Sequence, residues 1–210
     1  MAINLVIGLG GVGKSVMYEY FLRANRAGAL VPVNGLEIIS IDSEPANDDK
    51  ASALNNHGHF FCIGGSSINQ AIMYIFVKND FELFHKFPGY KIPKGHMWSG
   101  CSAVRYNGRF CSYANTRNDV HGGLLTVLKA KLDNLKAYGE DKVEHFSRGD
   151  GGEPIMVHIV SSLVGGTGTG LFLEIAQLLR LVKPQAVELG IYGYLITPNH
   201  AGLNSVALNA

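Results

Sequence analysis

The sequence lacks any long apolar run and any excess of charge of one sign, and each shortage excludes a class of protein. A membrane-spanning helix needs about 20 consecutive apolar residues. No such run is present, so no membrane span is predicted. With 18 basic and 17 acidic residues, the net charge is +1. That balance argues against a nucleic-acid-binding surface, because such surfaces need clustered Lys and Arg.

Cysteine is also scarce, since Cys62, Cys101 and Cys111 are the whole complement. An odd number without the paired spacing of metal sites predicts reduced thiols, buried as small apolar side chains, in a cytoplasmic protein. The histidines do not suggest a zinc site either. His57 and His59 lie two apart, and no pair at helical spacing accompanies them.

Glycine, by contrast, is abundant, with 26 residues among 210, well above the usual proportion of about 7%. The glycines have no regular period, which excludes a collagen-like chain. They cluster instead at residues 8–13, 64–65, 151–152 and 165–170. Glycine clusters of this kind favour loops in which the backbone comes close to a ligand.

Short β-branched runs alternate with helical patterns along the chain. Strands are predicted at residues 3–7, 36–41, 155–160 and 187–196, and helices at residues 15–27, 116–138 and 170–182. Residues 46–59 are polar, with no helix or strand assigned to them, and residues 72–98 are interpreted as an irregular insertion broken by Pro and Gly. The alternation predicts an α/β fold, a Rossmann-like parallel sheet flanked by helices, with ligands at the carboxyl ends of the strands.

The first glycine cluster matches two phosphate-binding patterns at once. Residues 8–15 read GLGGVGKS, which fits both the dinucleotide pattern GxGxxG and the P-loop pattern GxxxxGKS. In both patterns, glycines let backbone N–H groups approach phosphate oxygens at the N-terminus of a helix. A P-loop NTPase and a dinucleotide-binding Rossmann protein therefore both stay open, with Asp42 as a ligand of magnesium or ribose. Lys14 would either contact phosphate or extend into solvent at the helix start.

The second glycine cluster is explained by neither alternative. Residues 163–170 read LVGGTGTG and lie between a predicted strand and a predicted helix. A P-loop enzyme needs an acidic residue for magnesium near this point, but the strand ends in Val160, Ser161 and Ser162. A dinucleotide-binding half needs only one glycine loop.

This second cluster resembles the signature loop GGGTG[ST]G of the tubulin/FtsZ superfamily. Residues 165–170 match six positions of that motif, and Val164 stands where its first glycine is usual. This departure, together with the GLGGVGKS start, resembles a divergent bacterial tubulin-like branch. Residues 38–43, 100–109 and 194–198 resemble further loops of the family, in the expected order.

The resemblance implies a tubulin/FtsZ-type GTPase domain that binds GTP or GDP with Mg²⁺ and assembles head to tail into cytoskeletal filaments. Hydrolysis would then be completed by acidic residues of the neighbouring subunit, so no catalytic residue is assigned. Residues 1–210 would form one nucleotide-binding domain that stops before the family's central helix and acidic loop. Preference for GTP over ATP rests on the resemblance alone.

The motifs and the resemblance together assign a set of residues to the nucleotide. Glycine-loop backbone is expected to hold the phosphates, while Thr167 and Thr169 add hydroxyl donors or cap the helix. Arg105 and Arg109 are expected to pair with a phosphate or with an acidic side chain. The expected nucleotide-binding residues are Gly8, Gly10, Gly11, Val12, Gly13, Lys14, Asp42, Gly100, Ser102, Ala103, Arg105, Gly165, Gly166, Thr167, Gly168, Thr169 and Gly170.

Overall fold

The computed structural model describes residues 3–28, 34–64, 101, 105–117, 123–143, 146 and 153–197. The strands of these residues are β1 (Ile3–Leu9), β2 (Leu36–Asp42), β3 (Phe60–Cys62), β4 (Ile155–Ser162) and β5 (Leu189–Ile196). The helices are α1 (Gly10–Arg26), α2 (Asp49–Asn56), α3 (Arg105–Arg117), α4 (Leu124–Lys142) and α5 (Gly166–Val182).

The strands of the described residues form one parallel sheet with the order β3-β2-β1-β4-β5. In the pairing register, Leu9 at the end of β1 lies between Ile41 of β2 and Ser161 of β4. Starting from β1, the chain first adds β2 and β3 on one side of the sheet. It then adds β4 and β5 on the other side of β1. Strands β1 and β4 therefore flank the switch point, where ligands of such sheets bind. The Rossmann-like α/β fold predicted from the sequence is confirmed.

Successive side chains of the central strands point to opposite faces of the sheet, and helices cover the apolar side chains on each face. The larger core, which joins the sheet to α3, α4 and α5, includes Ile3, Leu5, Ile7, Phe110, Leu128, Leu132, Val157, Leu171 and Ile175. The smaller core, under α1 and α2, includes Val6, Met17, Phe21, Ile38 and Leu54. Burying each large apolar side chain contributes about 2 kcal/mol. These two cores therefore hold the helices against the faces of the sheet.

One helix was not predicted, and one prediction about helices is wrong. Residues 46–59 contain α2, whose first turn is capped by the Asp48 side chain accepting a hydrogen bond from the Ala51 N–H at 2.7 Å. Residues 116–138 are not one helix. Helix α3 ends at Arg117, and α4 begins after Gly123, whose extended backbone interrupts the helical pattern.

Helices α1 and α5 begin within the glycine clusters, four or more residues before their predicted starts. Residues 105–109, predicted to be part of a loop, form the first turns of α3. The predicted insertion at residues 72–98 lies outside the described residues. No helix of the described residues is long and apolar enough to cross a membrane.

Candidate functional site

Helices α1 and α5 both begin at the carboxyl edge of the sheet, without a capping side chain. Helix α1 follows β1 directly, and three residues separate the end of β4 from α5. The residues before their first turns are Leu9 and Gly165, whose side chains have no atom that could accept a hydrogen bond. Neither first turn contains an acidic residue. Backbone N–H groups at a helix start lack partners within the helix and carry the positive end of its dipole. Both helix starts are therefore suited to an anion.

The two helix starts lie side by side. A methyl group placed on Gly10 of α1 would lie 3.0 Å from the backbone nitrogen of Gly168 in α5. Between them is a cavity of about 180 Å³, here called the loop cavity. Its described lining consists of Leu9, Gly10, Gly11, Val12, Asp42, Glu44, Cys101, Ser162, Val164, Gly165, Gly166, Thr167 and Gly168.

The glycines of the two clusters differ in their surroundings. A methyl group on Gly11 or Gly165 would meet none of the described atoms within 4 Å, and both glycines line the loop cavity. A methyl group on Gly13 would lie 2.6 Å from the carbonyl carbon of Gly8, because α1 packs directly against β1. Gly170 is similar, because a methyl group there would lie 2.8 Å from the backbone nitrogen of Arg109 in α3.

Val164 and Gly165 show why the second cluster tolerates one departure from the family motif. Gly165 has φ +116°, a backbone conformation that side chains disfavour. Val164 does not have a positive φ. Among the described non-glycine residues, only Ala186 does. The Val164 N–H donates to the Ser162 hydroxyl at 3.0 Å. The backbone therefore requires glycine at position 165 and not at position 164.

Lys14 does not line the loop cavity, although it belongs to the P-loop pattern. Only 6% of this residue is exposed, so it does not extend into solvent. Its ammonium group donates to the carboxylate of Asp48 and lies 3.8 Å from that of Asp42. Two carboxylates therefore hold the Lys14 charge within the protein.

Asp42 combines a capping role with an unsatisfied oxygen. Its Oδ1 accepts hydrogen bonds from the backbone N–H groups of Ser43 at 2.7 Å and Glu44 at 3.5 Å. Its Oδ2 is buried and has no hydrogen-bond partner among the described residues. Burial raises the pKa of this carboxyl group above its ordinary value of 3.8, and the nearby Lys14 opposes that shift.

The two threonines of the second cluster point their hydroxyl groups at protein atoms. Thr167 Oγ1 lies 2.6 Å from Ser43 Oγ, a contact that ties the start of α5 to the end of β2. Thr169 Oγ1 donates to the carbonyl of Gly165, four residues earlier. Thr169 therefore does not cap the helix, because a cap accepts a hydrogen bond from a backbone N–H.

The expected third loop is only partly described. Arg105 is exposed at the start of α3, and Arg109 forms an ion pair with Glu174 of α5 at 2.6 Å. Gly100, Ser102 and Ala103 lie outside the described residues.

Sequence reasoning missed several residues of the site. Ser43, Glu44 and Ser162 lie at or just after the carboxyl ends of β2 and β4, a position that could have drawn attention to them. Asp48 could have been found as a helix cap. Cys101, which lines the cavity, lies in the segment 100–109 that resembles a family loop, and this position could have drawn attention to it.

A second groove of about 330 Å³ lies on the face of the sheet beside α1. It is lined by Asn4, Val6, Val16, Met17, Tyr20, His158, Val160 and Tyr194. Although this groove is larger, no glycine of either cluster is among its lining residues. Of these two spaces, the loop cavity is the one that stands at the switch point of the sheet.

Comparison with known proteins adds a separate observation. No curated protein sequence matches the chain significantly. The family model described as tubulin-like matches residues 86–210, which is more than half of the chain and includes the second glycine cluster. The first glycine cluster lies outside the matched residues. Its phosphate-binding pattern is therefore independent of the family match. The chain belongs to the tubulin-like family.

Proposed function

We propose that the loop cavity binds the phosphate groups of a guanine nucleotide. The observation that carries this proposal is the convergence of two uncapped helix starts, at Gly10 and Gly166, on one cavity lined largely by backbone. Backbone N–H groups and helix dipoles favour an anion there. The choice of guanine is supported by family membership alone.

The size of the cavity favours phosphates over a whole nucleotide. Its volume of about 180 Å³ is below the range of about 300–1,000 Å³ usual for complete small-molecule sites. A chain of phosphate groups would therefore occupy the space between the two glycine clusters. The sugar and base would extend beyond the lining described here.

The charges around the cavity favour a divalent cation beside the phosphates. No Lys or Arg is among the described residues that line it, whereas Asp42 and Glu44 are. Carboxylates next to phosphates repel them unless a cation lies between. Mg²⁺ is usually held by one or two carboxylates together with phosphate oxygens. Oδ2 of Asp42, which lies 3.8 Å from Lys14 Nζ and has no hydrogen-bond partner among the described residues, would be such a ligand. When bound, Mg²⁺ would neutralise charge that develops on the phosphates.

In the proposed reaction, a phosphoryl group passes to water and GDP remains. Backbone N–H groups at Gly10–Val12 and Gly166–Gly168 would orient the phosphates and stabilise their charge. None of the described lining residues is placed as a convincing base for water, since the pocket carboxylates suit the cation. We therefore propose that a neighbouring copy completes the site when copies assemble head to tail.

Nucleotide binding can be tested with a leucine at Gly11. Gly11 lines the loop cavity, and a Cβ there would meet no described atom within 4 Å, so a leucine side chain should compete with phosphate. Glu19→Leu is the matched control, because Glu19 is exposed on the same helix, further from the cavity. Equilibrium titration with fluorescent GTP in the presence of Mg²⁺ should show tight binding by the wild type and Glu19→Leu only. Equal GTP affinity in a folded Gly11→Leu variant would refute the proposed site.

Two further titrations separate the proposal from its alternatives. ATP and NAD in place of GTP distinguish a guanine site from the P-loop and dinucleotide interpretations. Removal of Mg²⁺ with a chelator should weaken GTP binding, because the carboxylates of Asp42 and Glu44 would then face the phosphates directly. Assembly is tested by sedimentation with GTP and with GDP, and sediment in neither would argue against filaments.

A further inference from the structure

Two cysteine thiols meet at the wall of the loop cavity. Cys101 lines the cavity, and Cys111 comes from the middle of α3. Their sulfur atoms lie 3.8 Å apart, and both residues are almost fully buried. Both are free thiols in the structure. A disulfide has an S–S length of about 2.05 Å, so small side-chain movements would bring the two sulfur atoms within bonding distance.

The surroundings make Cys101 the more reactive of the two. It shares the cavity wall with the first turn of α5, a position that favours a thiolate through the helix dipole. The hydrogen bond with Cys111 lowers the pKa of Cys101 to about 7, and the hydroxyl groups of Ser43 and Thr167 act in the same direction. The same hydrogen bond raises the pKa of Cys111. A thiolate that faces a cavity can be reached by a small oxidant.

We propose that Cys101 and Cys111 are a hydroperoxide-sensitive thiol pair whose disulfide weakens nucleotide binding in the loop cavity. This effect on nucleotide binding rests on the proposed function, whereas formation of the disulfide does not. Cys62 is the third thiol of the chain, and its sulfur contacts the carbonyl of Gly64 at 3.6 Å. Burial raises the pKa of Cys62, so it should react more slowly than Cys101.

The chemistry proceeds in two balanced steps. The Cys101 thiolate attacks one oxygen of hydrogen peroxide, the O–O bond breaks, and the products are a sulfenic acid on Cys101 and hydroxide. The Cys111 sulfur then attacks the Cys101 sulfur, and the hydroxyl group leaves as water after taking up a proton. Overall, two thiols lose two electrons and two protons, and one peroxide is reduced to two waters. Formation of the sulfenic acid also removes the thiolate charge that keeps Cys111 protonated.

Formation of the bond would change the cavity. Shortening the sulfur–sulfur distance from 3.8 Å to about 2.05 Å draws the Cys101 side chain towards α3 and away from Ser43 and Thr167. Thr167 belongs to the start of α5, which the proposed function assigns to phosphate. Conversely, a phosphate group in the cavity would cover Cys101 and slow its oxidation.

The disulfide itself can be identified by peptide mapping of the purified chain. Trypsin cleaves between the two cysteines, after Arg105 and Arg109, so Cys101 and Cys111 fall in separate peptides. After treatment with hydrogen peroxide and alkylation of the remaining thiols, these two peptides should appear linked, and reduction should separate them. The link should persist in Cys62→Ser and be absent from Cys111→Ser. Peroxide-treated wild type in which this link is missing, or in which Cys62 carries the main link, would overturn the proposal.

The effect on the cavity is measured with the same samples. The affinity of the wild type for GTP should fall by about tenfold or more on oxidation and recover on reduction, and GTP should slow formation of the linked peptide. Unchanged GTP affinity in the linked protein would overturn the effect on nucleotide binding. If the reduced protein binds no GTP, the proposed function fails, while peptide mapping still decides whether the thiol pair exists.

Discussion

The two glycine clusters look alike in sequence, and within each cluster the individual glycines meet different structural demands. In the first cluster, Gly8 and Gly13 let α1 approach β1 so closely that a methyl group on either would collide with backbone. In the second, Gly165 supplies a left-handed backbone conformation at a position open to the cavity. Each cluster contains both kinds of glycine, because Gly10 of the first has φ +68° and a methyl group on Gly170 of the second would lie 2.8 Å from the backbone nitrogen of Arg109. The position within a cluster therefore decides whether glycine is needed for close packing or for backbone conformation.

This comparison changes how the first cluster should be interpreted. Its pattern fits a P-loop, but the lysine of that pattern is buried against Asp42 and Asp48 and does not line the loop cavity. The second cluster supplies Gly165, Gly166 and Gly168 to the lining. A shared letter pattern thus does not show which residues contact a ligand. Variants at matched positions of the two clusters can test the difference.

The largest effect is expected from Gly13→Ala. The added methyl group would lie 2.6 Å from the carbonyl carbon of Gly8 and 2.9 Å from the carbonyl oxygen of Val160. Because both neighbours are backbone, α1 would have to shift, at a cost of about 3 kcal/mol of unfolding free energy. Gly11→Ala is the control, since its methyl group meets no described atom within 4 Å. Denaturant titrations that give equal stabilities for the two variants would refute the packing role.

Lys14→Met should cost about 2 kcal/mol of unfolding free energy, because it leaves the buried Asp42 without its cation. Affinity for GTP should change much less, since Lys14 does not line the cavity. A P-loop lysine would behave in the opposite way, with lost nucleotide binding and little lost stability. Lys50→Met is the control, because Lys50 is exposed on α2. Thermal denaturation and GTP titration of the same samples separate the two interpretations.

The glycine clusters also show which features of the structure the sequence could predict and which it could not. Apolar periodicity predicted the central strands and the sheet, because Ile3, Leu5 and Ile7 must be buried together. It could not distinguish Gly11 from Gly13, since only the distance to the next backbone separates them. The same limit applies to the start of α1. Glycine disfavours helices, and contacts with the sheet outweigh that local preference.

Long-range pairs were the other limit. The partner of Lys14 is Asp48, 34 residues away, at the start of a helix whose polar residues resemble a turn. Cys101 and Cys111 are ten residues apart, a spacing that indicates neither a metal site nor a disulfide. In both cases the contact exists because separate elements meet at the sheet edge, and the residue pattern of one segment does not indicate which other segment it will meet.

Gly165→Ala should have a smaller effect than the two variants above, because the methyl group has space and only the backbone is strained. Holding an alanine at φ +116° costs about 1–2 kcal/mol. Val164→Gly, which restores the usual glycine of the family motif, should lose less than about 1 kcal/mol, through the greater freedom of the unfolded chain. If Gly165→Ala were as stable as the wild type in denaturant titrations, glycine at position 165 would not be needed for conformation.

The smallest change in stability is expected from Asp42→Asn. The test is whether this change increases or decreases with pH. Burial raises the pKa of Asp42 in the folded state above 3.8, so the folded state binds its proton more tightly than the unfolded state does. This contribution to stability is fully present below pH 3.8 and is lost as the pH rises through the folded-state pKa. Asparagine is neutral at every pH. The stability of Asp42→Asn minus that of the wild type should therefore increase with pH and level off at neutral pH. A difference that falls with rising pH would mean that Lys14 stabilises the Asp42 carboxylate more than burial destabilises it. Lys14 would then already neutralise Asp42 Oδ2, and that oxygen would give no reason to expect Mg²⁺ at this position.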